Sequence, residues 1–322
     1  MSRTRILVTR RWPEAAERRL AEFGEVAFNR DDRPMTPEAM REALGAFDVV
    51  CPTVTDALPA SVWPEAPRTR LVCNYGVGVD HIDLAACRER GVMVTNTPGV
   101  LTEATAEIAL TLLLMVARRA GEGEREVRAG GWTGWRPTHL LGRSLSEKTV
   151  GVVGFGRIGR AFARKARFGL GMRVLYHSRH RASAEAEAET GATFEPSLER
   201  LLEASDAVSL HVPGGAETRH LIDAAALGRM KPHAFLINTA RGTVVDEAAL
   251  IAALQARAIG GAGLDVYEAE PTVADALKAL ENVVLLPHLG SATVETREAM
   301  GLAAIENLEA FLKGEPLPDR VV

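Results

Sequence analysis

Short aliphatic runs recur along the chain between longer stretches of helical spacing. Ile6–Val8, Asp48–Cys51, Arg70–Cys73 and Val92–Thr95 are strand-length and rich in Val and Leu, and Glu14–Phe23, Pro37–Leu44 and Asp83–Arg90 carry helix-length patterns between them. That alternation predicts a parallel sheet with crossover helices. Asn96-Thr-Pro98-Gly99 interrupts it, after which Thr102 can cap a helix ending at Arg118-Arg119. This helix is apolar on nearly every side from Ala106 to Ala117, which predicts burial between two bodies, either domains or subunits. A Gly/Trp-rich stretch, Gly130–His139, leads into a second series with strands at Thr149–Val153, Arg173–Tyr176, Ala207–His211, Ala234–Asn238, Gly261–Val266 and Val283–Leu286. The fold class read from this pattern is α/β, as two doubly wound parallel-sheet lobes. The last helix, roughly Ala292–Leu312, is expected to return to the first lobe and make it discontinuous.

Length and composition agree with two lobes. The chain has 322 residues, 47% hydrophobic and 25% charged, enough for about two domains with their own cores. Its net charge of −4 gives no field favouring nucleic acid or an anionic membrane. The longest apolar stretch, Ile108–Ala117, is broken by Thr111 and is well short of the ~20 residues of a membrane span. The N-terminus, with two arginines running straight into Ile6-Leu-Val8, reads as the start of a strand rather than a secretory leader. Cys51, Cys73 and Cys87 form no CxxC pair, so neither a disulfide framework nor a metal site is expected, and a reducing cytoplasm is.

The segment Thr149-Val-Gly-Val-Val-Gly154-Phe-Gly156-Arg-Ile-Gly159 is a buried strand running through GxGxxG into a helix. Gly154 permits the turn, Gly156 lets the backbone approach a pyrophosphate, and Gly159 lets helix and strand touch, so a Rossmann dinucleotide site is predicted. An NAD-selective site would carry an acid after the next strand to bind the ribose 2′-hydroxyl. Instead Ser178, 24 residues after Gly154, stands with Arg179 and Arg181. A hydroxyl and two guanidiniums suit a 2′-phosphate, so NADP(H) is the preferred cofactor and NAD(H) the alternative.

Three later strands end in polar residues. Asn238-Thr-Ala-Arg241-Gly242 offers a guanidinium, Asp265-Val-Tyr-Glu268-Ala-Glu270 offers carboxylates, and Pro287-His288-Leu-Gly-Ser291 offers an imidazole. Taken singly, each has a plainer role: a surface ion pair, a helix-start carboxylate, a core histidine. Together at the carboxyl ends of parallel strands, Arg241, Glu270 and His288 form a set that can reduce a 2-oxo acid. The arginine anchors substrate, the imidazolium donates a proton as hydride arrives, and the carboxylate orients and charges the ring.

These segments, with Asn74-Tyr-Gly-Val-Gly78-Val-Asp80-His-Ile-Asp83, resemble the D-isomer-specific 2-hydroxyacid dehydrogenases over nearly the whole chain. Within that family the chain is most similar to glyoxylate/hydroxypyruvate reductases, through Gly131-Trp-Thr-Gly-Trp135-Arg-Pro, Ser178-Arg179 and His288-Leu-Gly-Ser291-Ala-Thr. The resemblance implies a flavodoxin-like substrate-binding domain at 1–98 and 291–322 and a Rossmann NAD(P)-binding domain at 99–290; a cleft between two such lobes predicts hinge closure around Thr97–Gly99 and Leu289–Ser291. It implies His288 as proton donor with Glu270 as its partner, Arg241 as substrate anchor, the amides of Val77 and Gly78 as carboxylate holders, and Ser291 near the substrate. Thr105, Gly154, Gly156, Arg157, Ile158, Gly159, Thr239, Ala240, Asp265, His288 and Gly290 are implied as cofactor contacts, with Pro213 near the adenosine. A homodimer through the nucleotide-binding lobe is implied too, which suits the apolar Thr102–Arg119 helix and the Trp132/Trp135 segment. The chain departs from the family where relatives read Pro-Leu-Thr and it has Val212-Pro213-Gly214-Gly215, and at His139, where relatives place a large aromatic.

The activity expected is NADPH-dependent reduction of glyoxylate to glycolate and of hydroxypyruvate to D-glycerate. One alternative is another 2-oxo acid, such as 2-ketogluconate or phenylpyruvate, or an NADH preference. The other is a nicotinamide-sensing, corepressor-like binding protein.

Overall fold

The computed structural model describes residues 3–322; the first two residues of the N-terminal stretch read above lie outside them. Among the described residues there are two parallel sheets, one of five strands and one of seven. The chain divides into two compact units, Met1–Leu101 with Ser291–Val322, and Thr102–Gly290.

In the first unit β1 (Arg5–Val8), β2 (Glu25–Phe28), β3 (Val49–Cys51), β4 (Leu71–Cys73) and β5 (Met93–Thr95) lie in the order β2-β1-β3-β4-β5. Every neighbouring pair is parallel. Central β3 and β4 are buried at every position, which is why they are unbroken apolar runs in the sequence. Edge strand β2, Glu-Val-Ala-Phe, is exposed to half-buried and gave no comparable signal; its pairing with β1 defines it. The C-terminal helix runs Val294–Lys313, because Thr293 rather than Ala292 is the cap, its side chain accepting the Thr296 N–H, and Gly314 closes the helix in the left-handed region. It packs against the helix Glu14–Leu20 so closely that a Cβ on Gly301 would lie 2.5 Å from Ala16 Cβ. The buried Cys73 thiol donates to the Ala304 carbonyl, and the Tyr75 hydroxyl to that of Arg297. The two ends of the chain thus belong to one compact unit.

In the second unit β6 (Thr149–Val153), β7 (Arg173–His177), β8 (Ala192–Phe194), β9 (Ala207–Leu210), β10 (Phe235–Asn238), β11 (Gly261–Leu264) and β12 (Val283–Leu285) are ordered β12-β11-β10-β9-β6-β7-β8. Order reverses at β6, with β9 on one side and β7 on the other, so the loops leaving their carboxyl ends diverge and open a crevice. Three-residue β8 is the other strand that the pattern did not mark. The long apolar helix is Thr102–Ala117; it stops short of Arg119, which adopts a left-handed backbone. Ala106, Ala109, Leu112, Leu113 and Val116 are buried, with Leu112 seated on β11, where a Cβ at Gly263 would come within 2.8 Å of it. Leu114 remains exposed, as do Val127, Trp132, Trp135 and Leu141 in the segment that follows. One face of the helix is therefore satisfied by its own unit, while Leu114 stays exposed. No helix among the described residues is long and apolar enough to cross a membrane.

Candidate active site

The ends of β10, β11 and β12 are tied together by backbone groups before any reactive side chain is considered. Asn238, the buried last residue of β10, accepts the Ala240 N–H at 3.0 Å and donates to the Arg241 carbonyl at 2.9 Å, which folds the chain sharply at Arg241. The next residue must be glycine: a Cβ at Gly242 would lie 1.9 Å from the Tyr267 carbonyl group. The Arg241 loop is thereby pressed onto the loop after β11. There the Tyr267 N–H donates to Glu270 Oε1 at 3.0 Å, and the Tyr267 hydroxyl reaches across to the Leu286 carbonyl at 2.9 Å.

Asp265 holds the third loop. Its carboxylate accepts the N–H groups of Leu289 at 2.6 Å and Gly290 at 2.8 Å, and its carbonyl accepts that of His288 at 2.9 Å. These bonds hold His288 at φ +56°, a left-handed conformation seldom adopted by residues with a side chain. Burial keeps the Asp265 carboxyl above its usual range, against the two N–H donors and the nearby His288 charge.

So held, His288 Nδ1 lies 2.8 Å from Glu270 Oε2. Burial pushes Glu270 upward, but the His288 hydrogen bond and charge, the Tyr267 N–H and the Arg241 charge together bring it below the ordinary carboxylate range. Glu270 is thus an acceptor that fixes Nδ1 as the donor, leaving Nε2 as the imidazole nitrogen available to an incoming group. Arg241, Glu270 and His288, from three separate stretches of sequence, are brought together within the second unit.

The glycine loop has the form its spacing predicts. Gly154 has φ +92°, and a Cβ there would strike His211 and Val212 at 2.7 Å; a Cβ on Gly159 would lie 2.1 Å from the Gly154 carbonyl oxygen. Gly156, at the cap of the helix Arg157–Leu170, has nothing within 4 Å of its would-be Cβ. A nucleotide pyrophosphate fits this open backbone at a helix N-terminus. Nearby strand ends add Thr239, whose buried Oγ1 has no partner among the described residues. Gly290 adds another close approach, its would-be Cβ 3.4 Å from Thr105 Cγ2. Arg157 and Ile158 open the helix. Ala240 follows Thr239, and Pro213 is exposed, its carbonyl accepting the Thr218 hydroxyl.

After β7 the three residues grouped by spacing separate. Ser178 Oγ donates to the His180 carbonyl, and Arg179 meets Glu217 at 3.1 Å. Arg181 is engaged by both Glu187 oxygens at 2.9 Å, and Glu187 also accepts the Tyr176 hydroxyl. Arg181 therefore braces the loop through Glu187, whereas Ser178 and Arg179 carry no such double engagement.

In the first unit, the loop after β4 has its carbonyls occupied. Asn74 Nδ2 donates to the Gly76 and Gly78 carbonyls, each at 3.0 Å, and Asn96 Nδ2 to that of Val77 at 2.8 Å. The N–H groups of Val77 and Gly78 have no acceptor among the described residues. Ser291 lies in the same unit, its carbonyl accepting from the Arg297 guanidinium. The supporting asparagines, Asn74 and Asn238, were not singled out from sequence; their shared signal is an Asn at or just after the end of an apolar strand, before a glycine-containing loop.

Residues 110–290 match the family model described as D-isomer specific 2-hydroxyacid dehydrogenase, NAD binding domain. The chain is 46% identical over 321 residues to a glyoxylate reductase of Thermococcus litoralis, covering 98% of this chain and 96% of that one. It is 41% identical over 315 residues to a glycerate dehydrogenase of Hyphomicrobium methylovorum, covering 98% of each. Among solved structures it is similar to an NADPH-dependent glyoxylate/hydroxypyruvate reductase from Sinorhizobium meliloti in complex with NADP and malonate. That match has a TM-score of 0.88 and 37% identity and covers 100% of this chain and 97% of the other.

Proposed function

Since the chain belongs to the D-isomer specific 2-hydroxyacid dehydrogenases, oxidoreductases that act on a CH–OH group with a nicotinamide cofactor, we propose that it reduces glyoxylate to glycolate and hydroxypyruvate to D-glycerate with NADPH. The observation that carries this reading is the 2.8 Å His288–Glu270 pair beside Arg241 at the strand ends of a dinucleotide-binding lobe. The names of the relatives in Thermococcus, Hyphomicrobium and Sinorhizobium support the substrates.

When bound, a nicotinamide cofactor would supply the hydride that the carbonyl carbon takes up. Arg241 pairs with the 2-oxo acid and draws charge toward the carbonyl oxygen. His288 gives its Nε2 proton to the carbonyl oxygen, so that C=O, hydride and proton become CH–OH. Glu270 accepts the Nδ1 proton's hydrogen bond throughout, which keeps the ring oriented and offsets its charge. On this reading the first unit is the substrate-binding domain and the second the NAD(P)-binding domain.

Ser178 and Arg179 after β7, with no acid at that strand end, favour NADP(H). Leu114, Val127, Trp132, Trp135 and Leu141 are exposed apolar side chains of the second unit, and the proposed partner for them is a second copy of this chain. Three buried, unpaired cysteines suit a cytoplasmic enzyme.

Steady-state oxidation of NADPH and NADH with glyoxylate, hydroxypyruvate, 2-ketogluconate and phenylpyruvate tests the proposal. The expected order puts NADPH with the two small acids first. A higher kcat/KM on a bulkier acid would move the substrate assignment, and no turnover on any acid despite cofactor binding would favour a sensing role.

A further inference from the structure

The crevice at the β6 switch point is bridged by an ion pair. Arg179 follows β7 and Glu217 follows β9, the two neighbours of β6, and Arg179 Nη1 lies 3.1 Å from Glu217 Oε2. Of the two arginines after β7, Arg181 is committed to Glu187, so Arg179 is the one left for a cofactor phosphate, and in the unliganded chain it already has an anionic partner.

Glu217 is presented by an anchored loop. The Thr218 hydroxyl donates to the Pro213 carbonyl at 2.7 Å, the His220 N–H to that of Thr243 at 2.8 Å, and Arg219 and His220 each hold Glu268 Oε1 at 2.8 Å. The ion pair itself is weak in its setting, with side chains 82% and 83% exposed. A 2′-phosphate, with a charge of about −1.5 to −2 and three acceptor oxygens, is the stronger guanidinium ligand and displaces it.

We propose that Glu217 sets the cofactor preference by competing with the 2′-phosphate of NADP(H) for Arg179. When the ribose carries no phosphate, the carboxylate keeps Arg179 neutralised at the crevice; when it does, Arg179 changes partner and Glu217 is left beside a like charge. Glu217 therefore narrows the difference between NADP(H) and NAD(H). This inference rests on the proposed preference for NADP(H).

Calorimetric titration of the full chain with 2′,5′-ADP and with 5′-AMP, without substrate or turnover, tests it. Wild type is expected to bind 2′,5′-ADP more tightly than 5′-AMP. Glu217→Gln is expected to tighten 2′,5′-ADP by about two- to fivefold, the range an exposed pair allows, and to leave 5′-AMP within about twofold. In an Arg179→Gln background the same change should bring no gain. If wild type prefers 2′,5′-ADP but Glu217→Gln leaves its affinity unchanged or weaker, or tightens both ligands equally, the role of Glu217 is overturned while the NADP(H) reading stands. If wild type shows no preference for 2′,5′-ADP, the NADP(H) reading falls and this inference falls with it.

Discussion

Alanine at Gly159 would place its Cβ 2.1 Å from the Gly154 carbonyl oxygen, whereas Cβ contacts below 3.0 Å are essentially never found. The helix Arg157–Leu170 must then back away from β6 by about 1 Å. Overpacking of that kind costs about 1–3 kcal/mol. For a body of this size each kcal/mol lowers the melting temperature by about 2–4 °C. Alanine at Gly156 meets nothing within 4 Å, and φ −76° suits any residue, so folding loses no more than about 1 kcal/mol at the cap. Its methyl group would nevertheless stand where a pyrophosphate is proposed to approach the helix N-terminus. Losing one charge-assisted hydrogen bond there is worth about 1.5–3 kcal/mol, or roughly 10- to 150-fold in Kd. Melting of the cofactor-free variants and calorimetric titration with NADPH separate the two effects. Gly159→Ala should lose stability, and Gly156→Ala should keep it while losing cofactor affinity. The reasoning fails if Gly156→Ala lowers the melting point as far as Gly159→Ala, or binds NADPH as tightly as wild type.

Burial acts to raise Asp206, but the Thr149 N–H at 2.8 Å, His233 and Lys231 outweigh it and bring the carboxyl down to about 2. Because this lies below its unfolded value near 3.8, the stabilisation is complete above that value and lost as pH falls through about 2. Asp206→Asn should therefore cost about 1–2 kcal/mol at pH 7, and the gap in melting temperature from wild type should close toward pH 2. Asp265→Asn relieves the burial of a charge while turning an amide toward one of the Leu289 and Gly290 N–H groups, so stability should move by less than ~1 kcal/mol. Displacement of the His288 loop should still lower kcat by about 10- to 100-fold, seen by pairing kinetics with melting. Arg241→Lys loses the planar fork, and KM for glyoxylate should rise at least ~10-fold with NADPH affinity, measured by titration, little changed.

The sheet centres were legible because strands buried on both faces must be apolar throughout: β3, β4 and β6 stand out as Val-rich runs. Edge strands β2 and β8 were not, since half-exposed Glu25–Phe28 and Ala192–Phe194 obey no single pattern and exist through pairing with β1 and β7. The grouping of Arg241, Glu270 and His288 could be read from three polar strand ends because parallel strands deliver their carboxyl ends to one edge. The means of holding it was harder to read. That Asp265 secures the His288 loop, and that Gly242 must be glycine for Arg241 to lie against Tyr267, are contacts between residues more than twenty positions apart. Arg179 and Arg181 look alike two positions apart, yet Glu217 and Glu187 give them different neighbours. Composition cannot distinguish them; the fold does.

The central claim is that His288, oriented by Glu270, protonates the carbonyl oxygen as hydride arrives. Glyoxylate-dependent NADPH oxidation by His288→Gln, measured beside calorimetric binding of NADPH, tests it most directly. The expected result is a fall in kcat of at least ~100-fold with NADPH affinity within about twofold of wild type. A near-normal rate in that variant would contradict it.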